Sequence, residues 1–502
     1  MAVQNYITIQ YTEADKGEVI NFAYHDFVVS LDGITNYPQY YNFVNFKYIL
    51  QVFVDDKQIA TMKAPPNSPA LDNRNALFNV RAIVEDYVKT DQSGFASFNN
   101  GILNQSTKEQ IGFQTKPHAI HQIDRFARNK SNLVEVNFRV GAEWFEDGVF
   151  VKTPIKVLKI SSKTNFLPRY YFWNGVLQFS DLQQGHAQSL DYILDGNTKK
   201  FLTRKENNIE RKVTKTDYET LAFFNGVYTY VSGNNGHQIP LINLASSVYD
   251  IYIKAYGSNA FTMIIPNNDS NGGSFNPFFS IQNGVEPPYT SEGLLYVGVG
   301  CKNLADNGLT AVGGGAVTEA TFDGVTHYEV WARNAATNQI SEKYTFRLVS
   351  EECTYERIRI TYLNSLGAWD YFSFTKKSTR TTEITRSNYK ANYGYSPLIS
   401  QPQNVNNNNR WEYGSYEGGT RSYNVNAIET IEANSDWLTD AEAESLKELF
   451  VSPIAYIQSS NGNFDPVIVT ESDYILQTTA NDKLKQYIIN IQSGHENRVQ
   501  RL

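Results

Sequence analysis

The sequence predicts a mainly β protein, built from antiparallel β-sandwich modules in several domains with a few short amphipathic helices. Three observations carry this reading. Aromatic residues make up 14% of the 502-residue chain, with 33 Tyr and 29 Phe against 3 Met, while charged residues are held to 19%. That balance suits pleated, half-buried strands better than helical bundles. Asn-Gly occurs eight times and Asp-Gly four times, from Asp32-Gly33 to Asn461-Gly462, and both dipeptides fit tight hairpin turns. Several segments also alternate apolar and polar residues with a period of two.

The first such segment is Phe46, Tyr48, Leu50, Val52 and Val54, ending at an Asp55-Asp56 turn. Val80, Ile83, Val84, Tyr87 and Val88 break the period and recur at helical spacing. They predict a short amphipathic helix, with Asn79 as N-cap and Glu85 placed to pair with Lys89. Val134, Val136, Phe138 and Val140 then form one face of a strand with Glu135, Asn137 and Arg139 on its wet side, before a turn at Asp147-Gly148. Phe172-Trp173-Asn174-Gly175-Val176 recurs 51 residues later as Phe223-Phe224-Asn225-Gly226-Val227. Two hairpins with similar turns would give this faint repeat, and so would chance in an aromatic-rich chain.

Gly- and Asn-rich stretches at 267–273, 313–315 and 404–409 read as surface loops. Strands are expected near Tyr328 to Arg333 and Tyr344 to Val349. In 353–375, Ile358, Ile360 and Tyr362 alternate with Arg357, Arg359 and Thr361 as in a half-buried strand. Gly367 can supply the positive φ of a tight reversal, and Trp369, Tyr371 and Phe374 follow as an aromatic face. A second helix is expected from about Asp440 to Val451. Thr439 and Glu442 make a capping box, Ala443, Leu446 and Phe450 line one stripe, and Pro453 ends it.

Length suggests about three domains. Breaks near Leu167-Pro168 and Glu351 divide the chain into an N-terminal β-rich domain with one helix (1–166), a middle β-rich domain with Gly- and Asn-rich loops (167–350) and a C-terminal β domain with one capped helix (351–502). A net charge of −8 disfavours non-specific nucleic-acid binding, which needs Lys and Arg to displace counterions. The opening Met-Ala-Val-Gln-Asn-Tyr-Ile-Thr-Ile-Gln has no basic, apolar leader pattern, and no later run approaches the roughly 20 apolar residues of a membrane span, so a soluble chain is expected. Cys301 and Cys353 are too few for a disulfide framework and too far apart for a Cys-x-x-Cys site.

Candidate chemistry is sparse. His118-x-x-His121-x-x-Asp124 could gather two imidazoles and a carboxylate around zinc, but Pro117 beside it argues for a solvated connector. Asn267-x-Asp269-x-Asn271-Gly272 resembles half of a calcium loop, yet Phe278 stands where the bidentate Glu belongs, so a polar turn is preferred. Gly313 to Gly315 lack the Lys of a phosphate loop. Glu351-Glu352 and Asp440, Glu442 and Glu444 read as a solvated face and a helix N-terminus rather than opposed glycosidase acids. Tyr37, Tyr40 and Tyr41, or Tyr389, Tyr393 and Tyr395, could stack on sugars or anchor a protein partner, though most aromatics in such a chain pack within sheets. The reading therefore assigns no catalytic, cofactor-binding or metal-binding residue.

Cys353, Leu363, Asn364, Gly367, Trp369, Asp370, Phe372 and Phe374 form a pattern of Cys, strand, Leu-Asn-x-x-Gly, aromatic, Asp and Phe-x-Phe. It resembles virion structural proteins of the tail region in bacteriophages infecting Bacteroidetes, the crAss-like group included. Thr382 to Asn388, Ser435 to Thr439, Leu449 to Pro453 and Asn481 to Leu484 extend the resemblance through the last third. Phe78 to Val84 and the Phe-Trp-Asn-Gly segment extend it loosely further back. The resemblance implies a non-enzymatic particle component made in the host cytoplasm and placed in the virion tail: a collar or ring protein, or an adaptor anchoring fibres. Its implied partners are further copies of itself and neighbouring tail, portal or fibre proteins, with no specific nucleic acid and no membrane. The competing expectation is a glycan-binding receptor-recognition module or a glycan-active enzyme of the tail.

Overall fold

A computed structural model of the chain describes residues 8–11, 20–24, 26–32, 44–54, 57–67, 75–88, 123–124, 133–147, 154–160, 170–176, 189–224, 228–232, 238–242, 248–267, 294–306, 309–349, 355–391, 418–458, 464–470 and 485–495. The protein is mainly β, as the turn dipeptides and the aromatic composition predict.

Phe46, Tyr48, Leu50, Val52 and Val54 lie on one face of strand Val44–Val54, and all five are buried. Val134, Val136, Phe138 and Val140 do the same on Leu133–Asp147, which pairs with it antiparallel. These strands sit inside a sheet ordered Ile20–Phe22, Tyr170–Trp173, Leu133–Asp147, Val44–Val54, Lys57–Ala64, with Pro154–Ile160 also on Leu133–Asp147. A smaller sheet of Thr8–Tyr11, Val28–Asp32 and Ala76–Asn79 supplies Val29, Leu31, Ala76 and Phe78 to the same core. Two sheets sharing one core make a sandwich. The helix beside it is a single turn, Arg81–Val84, shorter than its periodicity predicts. The N-cap is Val80 rather than Asn79 and has no side-chain cap, although Asn79 Oδ1 accepts from the Arg81 backbone at 3.1 Å; Glu85 pairs with Arg81 at 3.1 Å. Lys89, its expected partner, lies outside the described residues.

The second core joins a five-stranded sheet, ordered Arg211–Val213, Tyr344–Leu348, Val325–Arg333, Asp250–Gly257 and Thr262–Pro266, to a sheet of Thr220–Phe224, Leu294–Gly298 and Ile123–Asp124. Strands Tyr228–Ser232 and Gln238–Ile242 pair as a two-stranded sheet of their own. The two similar pentapeptides are not two hairpins of one kind. Tyr170–Trp173 lies between an antiparallel and a parallel neighbour, whereas Thr220–Phe224 pairs with Leu294–Gly298. Their rings meet instead, Trp173 against Phe224 at 4.7 Å between centroids.

In the last third a seven-stranded sheet is ordered Trp369–Phe374, Ile358–Leu363, Ala455–Gln458, Phe464–Val469, Ile488–Ser493, Thr420–Asn434 and Ser378–Lys390. Helix Asp440–Val451 covers it with Ala443, Leu446 and Leu449, and the Thr439–Glu442 capping box forms as predicted. One expectation fails here. Strand Ile358–Leu363 is buried on both faces, so Arg359 and Thr361 are not on a wet side. The aromatic face is covered too, with Trp369, Tyr371 and Phe374 all buried. Residues 202–220 cover the face that carries Arg359 and Tyr371, Trp369 packs on Tyr456, and Phe374 belongs to the core under the helix.

Candidate functional site

The most chemically dense region is the seam between residues 202–220 and the hairpin Ile358–Leu363/Trp369–Phe374. At the tip of the hairpin, the Asn364 carboxamide oxygen accepts from the Leu366 and Ala368 backbone at 3.0 and 3.1 Å. Its amide nitrogen reaches the Leu202 carbonyl at 3.2 Å and Asp370 at 2.9 Å. Gly367 has φ +79°, and a side chain there would overlap the Asn174 carbonyl. The Trp173 indole N–H donates to the Leu366 carbonyl at 3.0 Å, and Glu448 on the last helix accepts from the Ser365 backbone at 2.7 Å. The Leu-Asn-x-x-Gly turn is thus held by Trp173 and Asn174 at the end of strand Tyr170–Trp173, by Leu202 and by the last helix together.

Asp370 belongs to the same lock, accepting from the Thr203 hydroxyl at 2.5 Å and from the Arg204 backbone at 3.0 Å. Along the strands the contacts become ionic. Arg357 grips Asp217 through both carboxylate oxygens at 2.7 and 2.6 Å, while Arg359 donates to Glu219 at 2.6 Å and to Gln458 at 3.1 Å. Arg211 hydrogen-bonds the Thr203 hydroxyl and the Lys205 carbonyl, approaches Glu219 at 3.5 Å and lies over the Tyr344 ring. The Tyr371 hydroxyl shares a 2.8 Å hydrogen bond with Thr220.

Burial would raise the Asp217 carboxyl, but Arg359 and Arg357 hold it below the ordinary carboxylate range. Arg359 is buried as well, and Asp217 and Glu219 keep it more firmly protonated than a free guanidinium. The Lys205 ammonium, which donates to the Tyr371 carbonyl, moves the other way, lowered from 10.5 to about 8. Burial is the main cause; Glu219 and Asp370 oppose it, while Arg211 and Arg359 add to it.

A pH dependence follows. Below about pH 8 the lysine is charged in the folded and unfolded chains alike, and its burial penalty is fully present. Between about 8 and 10.5 the folded chain has shed a proton that the unfolded chain still holds, so this group's contribution to stability rises with pH. In urea melts from pH 7 to 10, wild type should therefore gain stability relative to Lys205→Met. A flat difference across that range would show that Lys205 titrates normally.

Three cavities of about 330, 650 and 510 Å³ open along the seam. Among the buried acids of the seam, Asp217 and Glu219 are engaged by arginines, and Asp370 accepts from the Thr203 hydroxyl. Among the described residues, no group of three or more His, Cys, Asp or Glu is placed to hold a metal ion, and no helix is long and apolar enough to cross a membrane.

The residues singled out from sequence fall elsewhere. His118 and His121 lie outside the described residues, and Asp124 ends a two-residue strand paired with Tyr296 and Val297. Asn267 donates to the Val248 carbonyl at 2.8 Å; Asp269, Asn271, Gly272 and Phe278 lie outside the described residues. Gly313 to Gly315 close a tight turn between Ala311 and Ala316, with Gly313 at φ +71°. Glu351, Glu352 and Cys353 lie outside the described residues, and Cys301 is buried with its thiol against the Tyr328 hydroxyl. Asp440, Glu442 and Glu444 each face a different lysine, Lys485, Lys212 and Lys447, rather than one another. Tyr37, Tyr40, Tyr41, Tyr393 and Tyr395 also lie outside, leaving Tyr389 exposed beside Tyr423, ring centroids 6.3 Å apart.

A second feature was not anticipated from sequence. Ser378–Lys390 pairs along its whole length with Thr420–Asn434, but among the described residues only Thr430–Asn434 pairs onward, with Ile488–Gln492. From Thr382 opposite Glu429 to Lys390 opposite Thr420, the ribbon runs on past the sheet by roughly 25–30 Å. Ser378–Lys390 is the sheet's edge strand and is exposed almost throughout, with Ile384, Tyr389 and Tyr423 among the large side chains open to solvent. No protein-family model matches the chain, and no curated protein matches it.

Proposed function

We propose that this chain is a non-enzymatic assembly component of a phage virion, a tail collar or ring protein or a fibre-anchoring adaptor, joined to further copies of itself and to neighbouring tail proteins. The observation that carries the reading is the arm formed by Ser378–Lys390 and Thr420–Glu429. A two-stranded ribbon is marginal alone in water, and an unpaired edge offers a row of backbone donors and acceptors to another chain. Its long outer edge, unpaired among the described residues, and its exposed Ile384, Tyr389 and Tyr423 suit pairing with a second chain. The sequence pattern around Asn364 and Gly367, which resembles tail-region proteins, supplies the virion context.

The motif's own residues support a structural role, since Asn364, Gly367, Trp369 and Asp370 are buried or locked in the seam. A sugar-stacking role for Trp369 fits poorly, because its ring is covered and packs on Tyr456. Electron microscopy of particles containing the antibody-labelled chain tests the proposal. Symmetric label at the tail region is expected; purified particles without the chain would refute it.

A further inference from the structure

The outer strand of the arm lacks the backbone devices that blunt an exposed edge. Ser378–Lys390 is 13 residues long, holds neither Pro nor Gly, and is exposed at every position except Ser378 and Ser387. Among the described residues no strand pairs with its outer edge. The arm does contain a bulge, but on the inner strand: Ser387 faces Asn424 and Asn388 faces Ser422, so Tyr423 is the extra residue and the outer strand stays regular. Short length, Pro and bulges are the usual protections of an edge, and this edge has none of the three.

The sequence of the strand favours one partner in one register. Two copies of a strand that pair antiparallel about a two-fold axis must place one residue opposite itself. Ile384 is the midpoint of Ser378–Lys390, so a register centred there engages all 13 residues and sets its one large aliphatic side chain against its own copy. Every charge then faces a neutral residue, Arg380 on Asn388, Arg386 on Thr382, Lys390 on Ser378 and Glu383 on Thr385. Both adjacent registers set like charges face to face, which destabilises a cross-strand pair. Centred on Glu383, the pairing opposes Glu383 to itself and Arg380 to Arg386; centred on Thr385, it opposes Arg380 to Lys390.

The overhang points the same way. Ser378 to Thr381 lie opposite Ala433 to Thr430, which pair onward into the sheet, whereas among the described residues the ribbon from Thr382 outward has no such support. In the centred register each overhang lies along the root of the other copy's arm, so two ribbons that are marginal alone gain a supported neighbour together. We infer that Ser378–Lys390 pairs antiparallel with the same strand of a second copy, about a two-fold axis at Ile384. The inference rests on the assembly reading and gives that contact its partner and register. Such a contact closes at two copies, so a ring would need a further, different interface.

Disulfide trapping of the full chain tests it, with single cysteines placed in a Cys353→Ser background, mild oxidation and non-reducing electrophoresis. Residues directly opposite across antiparallel strands have Cα atoms about 4.5–5.5 Å apart, within the about 4.4–6.8 Å span of a disulfide. Ile384→Cys should therefore give a covalent pair at twice the 56.9 kDa chain mass. Tyr389→Cys alone should stay single, because its two copies lie about 34 Å apart along the strands. Mixed with Thr379→Cys chains, which face it in this register, it should cross-link. Ile384→Cys that stays single while light scattering shows a multiple of the chain mass would overturn the register and leave the assembly reading standing. Tyr389→Cys that cross-links to itself as readily as Ile384→Cys would overturn it likewise. A chain that remains single at every concentration would overturn both.

Discussion

Replacing Arg359 with alanine is expected to remove about 3–5 kcal/mol of folding stability, the usual loss when one partner of a buried ion pair is taken away. Arg359 is 3% exposed and faces Asp217 and Glu219, each also 3% exposed, so its removal leaves two buried carboxylates with less compensation. The hydrogen bonds to Gln458 and to the Tyr218 carbonyl go with it. Arg380 provides the control. It bridges Glu356 and Glu429 at 2.7 and 3.0 Å but is half exposed, and Arg380→Ala should cost no more than about 1 kcal/mol. Urea denaturation of both variants separates the cases. Equal, small losses would mean that the seam is as solvated as the surface.

The second large effect concerns the arm. Replacing Ile384, Tyr389 and Tyr423 together with lysine should leave the fold intact, because all three are exposed on the ribbon and belong to none of the three cores. Self-association should nevertheless weaken about a hundredfold or more, equivalent to about 2.7 kcal/mol, since exposed aromatic and aliphatic side chains carry a large share of interface energy and added like charges repel across a symmetric contact. The Thr- and Arg-rich character of Ser378–Lys390 fits this arrangement. On the proposed assembly, polar side chains would keep a long edge strand soluble until a partner arrives, and among the described residues no strand pairs with its outer edge.

Much of the local structure was legible in the sequence. Period-two alternation located Val44–Val54 and Leu133–Asp147, and the Thr439–Glu442 capping box located the last helix, because each signal lies within a few residues of its own effect. Gly367 was legible as a turn, but the reason a side chain is excluded there, the Asn174 carbonyl, sits almost two hundred residues away. The seam was misread for the same cause. Arg357 and Arg359 alternating with Ile358 and Ile360 look like the wet side of a strand, because arginine is rarely buried unless paired. Their partners Asp217 and Glu219 lie 140 residues earlier in the chain. The available hint was the run from Lys205 to Glu219, dense in charge yet interleaved with Ile209, Val213 and Tyr218, which are buried. The arm left no such hint, since nothing in Ser378–Lys390 indicates that its partner strand outruns the sheet.

Light scattering of the full chain in solution, for wild type and the Ile384→Lys, Tyr389→Lys, Tyr423→Lys variant, tests the assembly account most directly. The account predicts a discrete multiple of the 56.9 kDa chain mass for wild type and a shift to the single-chain mass for the variant. Wild type that stays at 56.9 kDa at every concentration, or a variant that keeps the same multiple, would contradict it.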